Sequence, residues 1–190
     1  MMRTQSFQAK SAVDKLLVAF RLNKVYRVLN KIKIAPEKLK IIDMGSGKGF
    51  LIQQLRKQGY DALGIDLVQN NHVIKADLNK SLPIDTNTVD IITSLANIEH
   101  LEQPQVNLNE IYRILKADGQ LVLTTPALKA KPILEFIAYK LKWIDAAEIL
   151  DHKFYYTKET LKSALNQAGF KKIRLTTFQL GLNLYAIAKK

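Results

Sequence analysis

The chain has 190 residues and a net charge of +12, with 29 Lys and Arg against 17 Asp and Glu, and 47% of its residues are hydrophobic. This length suits one domain with a full core, and no apolar run approaches the ~20 residues of a membrane span. The absence of cysteine excludes disulfides, a Cys nucleophile and thiolate metal sites. No signal-peptide pattern is visible, so we expect a soluble, cytoplasmic protein.

The first 40 residues carry most of the excess charge. They hold ten Lys and Arg against two acids, which gives +8, so the other 150 residues carry only +4 (12 − 8). Apolar residues at helical spacing, from Val13 to Ile32, alternate with basic ones. We predict a basic amphipathic helical arm over residues 1–35 and one domain over residues 36–190. The arm either docks on that domain with a solvated basic face or contacts anionic membrane lipids, nucleic acid or an acidic carrier.

A strand, a tight turn and a helix are predicted for the sequence Ile41-Ile42-Asp43-Met44-Gly45-Ser46-Gly47-Lys48-Gly49-Phe50. Its three alternating glycines allow positive φ and remove the Cβ atoms that would keep a ligand from the backbone. The N–H groups at the start of the following helix then face that ligand. The pattern therefore indicates a turn that cradles a nucleotide.

The glycine spacing separates three kinds of nucleotide site. A P-loop is excluded because Gly49 follows Gly47-Lys48 where Ser or Thr is required. The dinucleotide fingerprint GxGxxG is disfavoured because the third glycine comes one residue early. The pattern D-x-G-x-G-x-G resembles motif I of class I S-adenosylmethionine-dependent methyltransferases, of the small bacterial type. This resemblance implies S-adenosyl-L-methionine as the cofactor.

Later elements follow the order of motifs in that family. Three further strands are predicted to end at Asp66, Leu78 and Ser94, and the segment after the last of them resembles the family's "fDli…evleHl" pattern. A helix and a fifth strand, residues 120–125, then resemble "iLKpGGxLvlttP". Only five residues separate Asp66 from His72, so the second crossover is predicted to be shortened and to lack a full helix.

The C-terminal third predicts a helix capped by Thr157 and then two strands, residues 171–178 and 182–188, joined as a hairpin. An antiparallel hairpin on an otherwise parallel sheet distinguishes the methyltransferase sheet from an NAD-binding one. The predicted fold is therefore α/β: a Rossmann-like, doubly wound, seven-stranded sheet, mostly parallel, with a C-terminal antiparallel hairpin.

Three carboxylates at strand ends are candidate cofactor ligands. Asp43 suits the methionine amino group and Asp66 the ribose hydroxyls, although each alone is also an ordinary turn residue. The resemblance implies that Asp77 contacts the adenine amino group and that the next backbone N–H approaches the ring. The predicted cofactor-binding set is Asp43, Gly45, Ser46, Gly47, Gly49, Asp66, Leu67, Asp77, Leu78 and Ser94.

Two histidines are candidate catalytic residues. His100 follows Glu99 beyond the fourth strand, and His152 lies in a segment that resembles the family's "eHxxffT". If the acceptor is a hydroxyl, either histidine is a candidate base for its proton, with a structural role as the alternative. Ligand spacing such as HExxH does not occur in the sequence, so no metal is expected.

Residues 130–150 form a variable insert with an apolar stripe. The stripe comprises Ile133, Phe136, Ile137, Leu141 and Ile144, with Tyr139 and Trp143 beside it. Such a helix either packs on the core or forms a lid over an apolar acceptor.

The predicted function is methyl transfer from S-adenosylmethionine to a small acceptor with an apolar part. One alternative is a non-catalytic methyltransferase-like module that docks on nucleic acid or anionic membrane. Another is an NAD-dependent oxidoreductase, which the glycine spacing disfavours.

Overall fold

The computed structural model describes residues 12–141 and 149–190. The strands are β1 (Lys40–Met44), β2 (Asp61–Asp66), β3 (Val73–Lys75), β4 (Val89–Leu95), β5 (Leu115–Pro126), β6 (Lys172–Phe178) and β7 (Asn183–Lys189). The α-helices are α1 (Ala12–Leu29), α2 (Phe50–Lys57), α3 (Pro104–Ile114), α4 (Lys131–Phe136) and α5 (Lys158–Gln167). A 3-10 helix spans Ile98–His100, and α4 continues into a π-helical turn over Ile137–Leu141.

All seven strands form one sheet in the order β3-β2-β1-β4-β5-β7-β6. Strands β1 to β5 pair in parallel, while β7 is antiparallel to both β5 and β6. This confirms the predicted sheet and its C-terminal hairpin. The strand order reverses between β1 and β4, and open α/β sheets bind ligands outside the carboxyl ends of the strands at such a reversal.

The shortened crossover is confirmed, because β2 and β3 are joined by residues 67–72 without a helix. Strand β3 is shorter than predicted and ends at Lys75. The chain turns just beyond it, where the carboxylate of Asp77 accepts a hydrogen bond from the backbone N–H of Asn79 at 3.0 Å. Such a side-chain-to-backbone bond favours a turn over continued pairing.

The sheet has an apolar core on each face. Helices α3 and α5 cover one face through residues such as Ile111 and Leu161, which pack with Ile42. The other face is built around Ile41, with buried residues from α1 and α2. Neighbouring residues of β1 thus face opposite cores, as the two-residue period of a strand requires.

The last two turns of α1 belong to the second core. Val25, Val28 and Leu29 are buried there, whereas Leu16 and Phe20 nearer the N-terminus are largely exposed. The predicted boundary at residue 35 stays a prediction, and this packing gives a direct way to test it. No helix within the described ranges is long and apolar enough to cross a membrane.

One lysine of α1 contacts aromatic rings of the C-terminal hairpin. The ammonium of Lys24 lies 5.0 Å from the ring centroids of both Phe178 and Tyr185, at cation–π distance. Partial burial lowers the pKa of Lys24, and the nearby charge of Arg27 acts in the same direction. Part of α1's basic character therefore serves its docking onto the hairpin.

Replacing Val25, which is 0% exposed, by alanine removes two methyl groups from this core. We expect the variant to lose about 1–3 kcal/mol of unfolding free energy and about 3–10 °C in Tm, from lost burial plus the cavity. Thermal denaturation would measure this, with the exposed Asn23→Ala on the same helix as the control. An unchanged Tm for Val25→Ala would mean that α1 is a separable arm.

Candidate active site

The turn after β1 needs glycine for both conformation and space. Gly45, Gly47 and Gly49 have φ values of 71°, 52° and 74°, in the left-handed region that other residues rarely adopt. A Cβ atom on Gly45 would collide with the side chain of Asn97, which follows β4. The turn and the β4 loop are therefore in direct contact at the carboxyl edge of the sheet.

Asp66 holds this turn in place from the end of β2. Its Oδ2 accepts the backbone N–H of Gly47 at 2.8 Å, and its Oδ1 accepts that of Val68 at 3.2 Å. A carboxylate offers about four lone-pair positions, so these two bonds leave acceptor capacity for a ligand. The backbone N–H groups of Gly45 and Ser46 both donate to the carbonyl of Ile65, which fixes the turn against β2.

Ser46 lies inside this junction. It is buried, and its hydroxyl packs where a Cβ atom on Gly64 of β2 would stand. Its Oγ has no hydrogen-bond partner among the described residues. Since buried polar atoms are normally paired, this atom is a candidate for contact with a bound molecule.

Asp43 is a buried carboxylate at the reversal of the strand order. It lies opposite Thr93 in the pairing of β1 with β4, and the Thr93 hydroxyl donates to Asp43 Oδ1 at 2.5 Å. Burial is the main reason that the pKa of Asp43 is raised to about 7; the Thr93 hydrogen bond lowers this pKa, and the neighbouring charge of Asp66 also raises it. A cationic group bound here would stabilise the ionised form.

The remaining predicted cofactor contacts lie along the same edge. Asp77 Oδ1 accepts both the backbone and the side-chain N–H of Asn79 at 3.0 Å, and the backbone bond is the main reason that its pKa is lowered. Leu78 is buried and Leu67 is partly exposed. Ser94 is buried at the end of β4, with its Oγ 3.5 Å from the side-chain nitrogen of Asn97.

The two predicted histidines, 52 positions apart in the sequence (152 − 100), meet in space. The ring centroids of His100 and His152 are 4.6 Å apart in an edge-on arrangement. The backbone N–H groups of Lys153 and Phe154 donate to the carbonyl of Glu99 at 2.8 and 3.2 Å, and thereby bring the segment that carries His152 against the end of β4.

Each histidine has one ring nitrogen engaged by a neighbour. His100 Nδ1 lies 3.1 Å from Asp151 Oδ2, and His152 Nδ1 lies 2.9 Å from the Tyr155 hydroxyl. Burial is the main reason that the pKa of His152 is lowered to about 3, and the electrostatic effects of His100 and Arg21 act in the same direction. The Nε2 atom of His100 is buried and has no hydrogen-bond partner among the described residues, so it is a candidate for contact with a ligand or for proton transfer.

Sequence reasoning missed Glu99 as a site residue. Its side chain is fully buried, its Oε2 accepts the Thr125 hydroxyl at 3.0 Å, and burial raises its pKa. The available signal was an acid that directly follows the uncharged run from Leu95 to Ile98. Asn97 gave no signal, because its role depends on contact with a turn 52 residues earlier (97 − 45).

The apolar insert borders the histidines but is only partly packed. Ile133, Phe136 and Tyr139 are 41–57% exposed, and the Lys131 ammonium lies 5.8 Å from the Tyr155 ring centroid. The start of the insert thus lies beside the tyrosine that contacts His152. The predicted residues Trp143 and Ile144 lie outside the described residues.

Comparisons with known proteins agree on one family. A family model described as a methyltransferase domain matches residues 17–175. The ubiquinone biosynthesis O-methyltransferase of Psychrobacter arcticus is 27% identical over 151 residues, which cover 69% of this chain and 58% of that protein. The chain thus spans less than two thirds of the length of that relative.

Solved structures share the fold at low identity. A SAM-dependent methyltransferase from Archaeoglobus fulgidus has a TM-score of 0.65 and 18% identity, covering 90% of this chain and 94% of that one. Phosphoethanolamine N-methyltransferase 2 of Haemonchus contortus, solved with S-adenosyl-L-methionine, has a TM-score of 0.65 and 15% identity, covering 88% and 52%.

The raised pKa of Asp43 predicts a pH dependence of stability. Between its ordinary value of 3.8 and its folded value of about 7, the native carboxyl holds a proton that the unfolded chain has lost. Its contribution to stability is therefore complete at low pH and is lost as the pH rises through this window, by a total on the order of a few kcal/mol.

Asp43→Asn removes this titration, so we expect its stability relative to the parent to increase from pH 5 to pH 8. Urea denaturation of both proteins without ligand would measure the difference, with the exposed Asp118→Asn as the control. A parent-minus-variant difference that is constant with pH would contradict the buried, protonated state of Asp43.

Proposed function

Because the chain belongs to the methyltransferase domain family and its cofactor is S-adenosyl-L-methionine, we propose that it methylates a hydroxyl group on a small acceptor with an apolar part. The observation that carries the cofactor half of this proposal is the glycine turn that Asp66 holds, which begins two residues after the buried carboxylate of Asp43. The observation that carries the acceptor half is the pair of histidines at the same sheet edge, beside an exposed apolar helix.

We assign the cofactor's parts by charge and position along the edge. The cationic methionine end suits Asp43, since an opposite charge there relieves the cost of its burial. The ribose suits the remaining lone pairs of Asp66, and the adenine suits Asp77 and the backbone at Leu78, near the outer strand β3. The Ser46 hydroxyl is a further candidate contact.

The chain's residues need to align an acceptor and exclude water. S-adenosylmethionine supplies a methyl group activated by its sulfonium, so the C–O bond forms as the C–S bond breaks and no covalent enzyme intermediate is needed. The cluster of Glu99, His100 and His152 lies just beyond Asn97, which contacts the glycine turn, so an acceptor hydroxyl held there would face the cofactor. These groups are the candidates for taking up the hydroxyl proton.

The name of the curated relative supports an oxygen acceptor joined to an apolar body. The exposed side chains of Ile133, Phe136 and Tyr139 offer a surface for such a body. A purely polar acceptor would gain little from that surface. We therefore infer a phenolic or similar hydroxyl compound with an alkyl or isoprenoid-like part.

Asp66→Ala should weaken cofactor binding by about 1.5–3 kcal/mol for each charge-assisted hydrogen bond lost, or about 10- to 150-fold per bond. Calorimetric titration with S-adenosylmethionine and S-adenosylhomocysteine would measure this. Asp61→Asn, at the exposed start of the same strand, is the matched control. Unchanged affinity in Asp66→Ala would show that the ribose assignment is wrong, provided that Tm confirms a folded variant.

Phe136→Ala tests the acceptor surface, because Phe136 is 57% exposed and its loss should spare the fold. With an alkyl-substituted catechol as the acceptor, we expect KM to rise about tenfold, from roughly 50 Å² of lost apolar burial. The KM for unsubstituted catechol and the affinity for S-adenosylhomocysteine should not change. Leu180→Ala, 97% exposed on the β6–β7 hairpin, is the control.

Equal effects of Phe136→Ala on both catechols would contradict an apolar contact at this helix. A chain that binds S-adenosylmethionine but methylates no hydroxyl compound would overturn the proposed reaction. Such a result would favour the non-catalytic binding module.

A further inference from the structure

Three side chains that offer metal ligands converge beside the proposed acceptor position. Glu99, His100 and His152 each contribute one carboxylate oxygen or ring nitrogen, and these atoms lie within 4.8 Å of one another. Glu99 and His100 are adjacent on the 3-10 helix after β4, while His152 is held against them by the backbone bonds to the Glu99 carbonyl. The backbone structure of the chain therefore brings the three side chains together.

Each member of the cluster has one polar atom fixed by a neighbour. Thr125 donates to Glu99 Oε2 at 3.0 Å, while Asp151 and the Tyr155 hydroxyl engage the Nδ1 atoms of the two histidines at 3.1 and 2.9 Å. Metal-bound histidines commonly use one nitrogen in this way, with a carboxylate or other polar group fixing the ring orientation. In this arrangement, the atoms that could bind an ion are Glu99 Oε1 and the Nε2 atoms of both histidines.

Two of these remaining atoms are buried and unsatisfied. Glu99 Oε1 and His100 Nε2 are inaccessible to solvent and make no hydrogen bond within the described parts of the chain. An unsatisfied buried polar group destabilises the fold, and more so when it is charged. A cation shared by these atoms would satisfy both at once.

We propose that Glu99, His100 and His152 bind one divalent first-row transition metal ion. Two imidazole nitrogens and one carboxylate oxygen suit Zn²⁺, Co²⁺, Fe²⁺ or Mn²⁺, whereas Mg²⁺ and Ca²⁺ prefer all-oxygen sites. Three protein ligands leave coordination positions open, as in catalytic sites. The sequence indicated no metal because the ligand spacing is not local: His152 comes from a separate segment of the chain.

Binding requires a modest contraction of the cluster. Ligands on one tetrahedral ion with bonds of ~2.1 Å lie about 3.4 Å apart, closer than the observed limit of 4.8 Å. Side-chain rotation can supply this difference, because the three backbones are already joined through the Glu99 carbonyl. The positive charge of Arg21 acts on Glu99 and His152 and opposes a cation, so Arg21→Gln should tighten binding.

This inference deepens the proposed function by giving the acceptor hydroxyl a partner. An oxygen bound to the ion would lose its proton more readily, and solvent water would take that proton in place of the three side chains, whose lone pairs would bind the ion. The resulting alkoxide or phenoxide would form the O–CH₃ bond with its lone pair, while the C–S electron pair returns to sulfur. The ion would undergo no redox change.

The test is metal binding by the full chain after treatment with a chelator, followed by titration with Co²⁺ and Zn²⁺. We expect one ion per chain, with visible Co²⁺ absorption bands typical of nitrogen and oxygen ligands. Glu99→Gln and His152→Ala should each weaken binding by at least about 100-fold, and Tyr155→Phe by about 10- to 100-fold. His72→Asn, at the exposed histidine outside the cluster, should bind like the parent.

Binding that is absent, or that is equal in the parent, Glu99→Gln and His152→Ala, would overturn the proposal. Glu99→Gln preserves shape, and Tyr155→Phe leaves the three ligands intact, so a folding failure of one variant does not spoil the test. If Co²⁺ binds through this cluster but the chain methylates no hydroxyl compound, the result supports the metal site and contradicts the proposed function.

Discussion

The hydrogen bond between Asp43 and Thr93 joins the two halves of the sheet at the point where the strand order reverses. It is buried, and burial raises the pKa of the Asp43 carboxyl to about 7 against the opposing effect of this bond. A carboxyl that is costly to ionise is buried here, next to the turn where a cationic ligand group would stabilise its ionised form. The proposed cofactor site and acceptor site lie on the two sides of this bond.

On one side, the glycine turn is held by contacts that leave little freedom. Asp66 accepts the N–H of Gly47, and Asn97 occupies the space next to Gly45, so the loop after β4 also restricts the turn after β1. A substitution at Asn97 would therefore change the turn even though 52 residues separate the two (97 − 45). Preorganisation of this kind reduces the entropy that a bound cofactor would otherwise have to offset.

On the other side, the carbonyl of Glu99 organises the proposed acceptor region. It accepts two backbone bonds from the segment after His152, while Thr125 at the end of β5 fixes the Glu99 side chain. Arg21 adds the electrostatic influence of α1 on the same cluster. Helix α1 thus belongs to the core at its C-terminal end, and Arg21 in its middle acts on the Glu99 cluster; the predicted division into arm and domain stays a prediction.

The sequence by itself determined the sheet, its C-terminal hairpin, the missing crossover helix and the family, because these depend on local periodicity and on motifs contiguous in the chain. It also indicated Asp43, Asp66 and the two histidines as residues at strand ends or in family-like segments. Only the tertiary structure decided which side chains meet: the contact of Asn97 with the glycine turn, the burial of Glu99, and its convergence with His100 and His152. Such contacts depend on hydrogen bonds between segments tens of residues apart, and no local pattern of residue types records them.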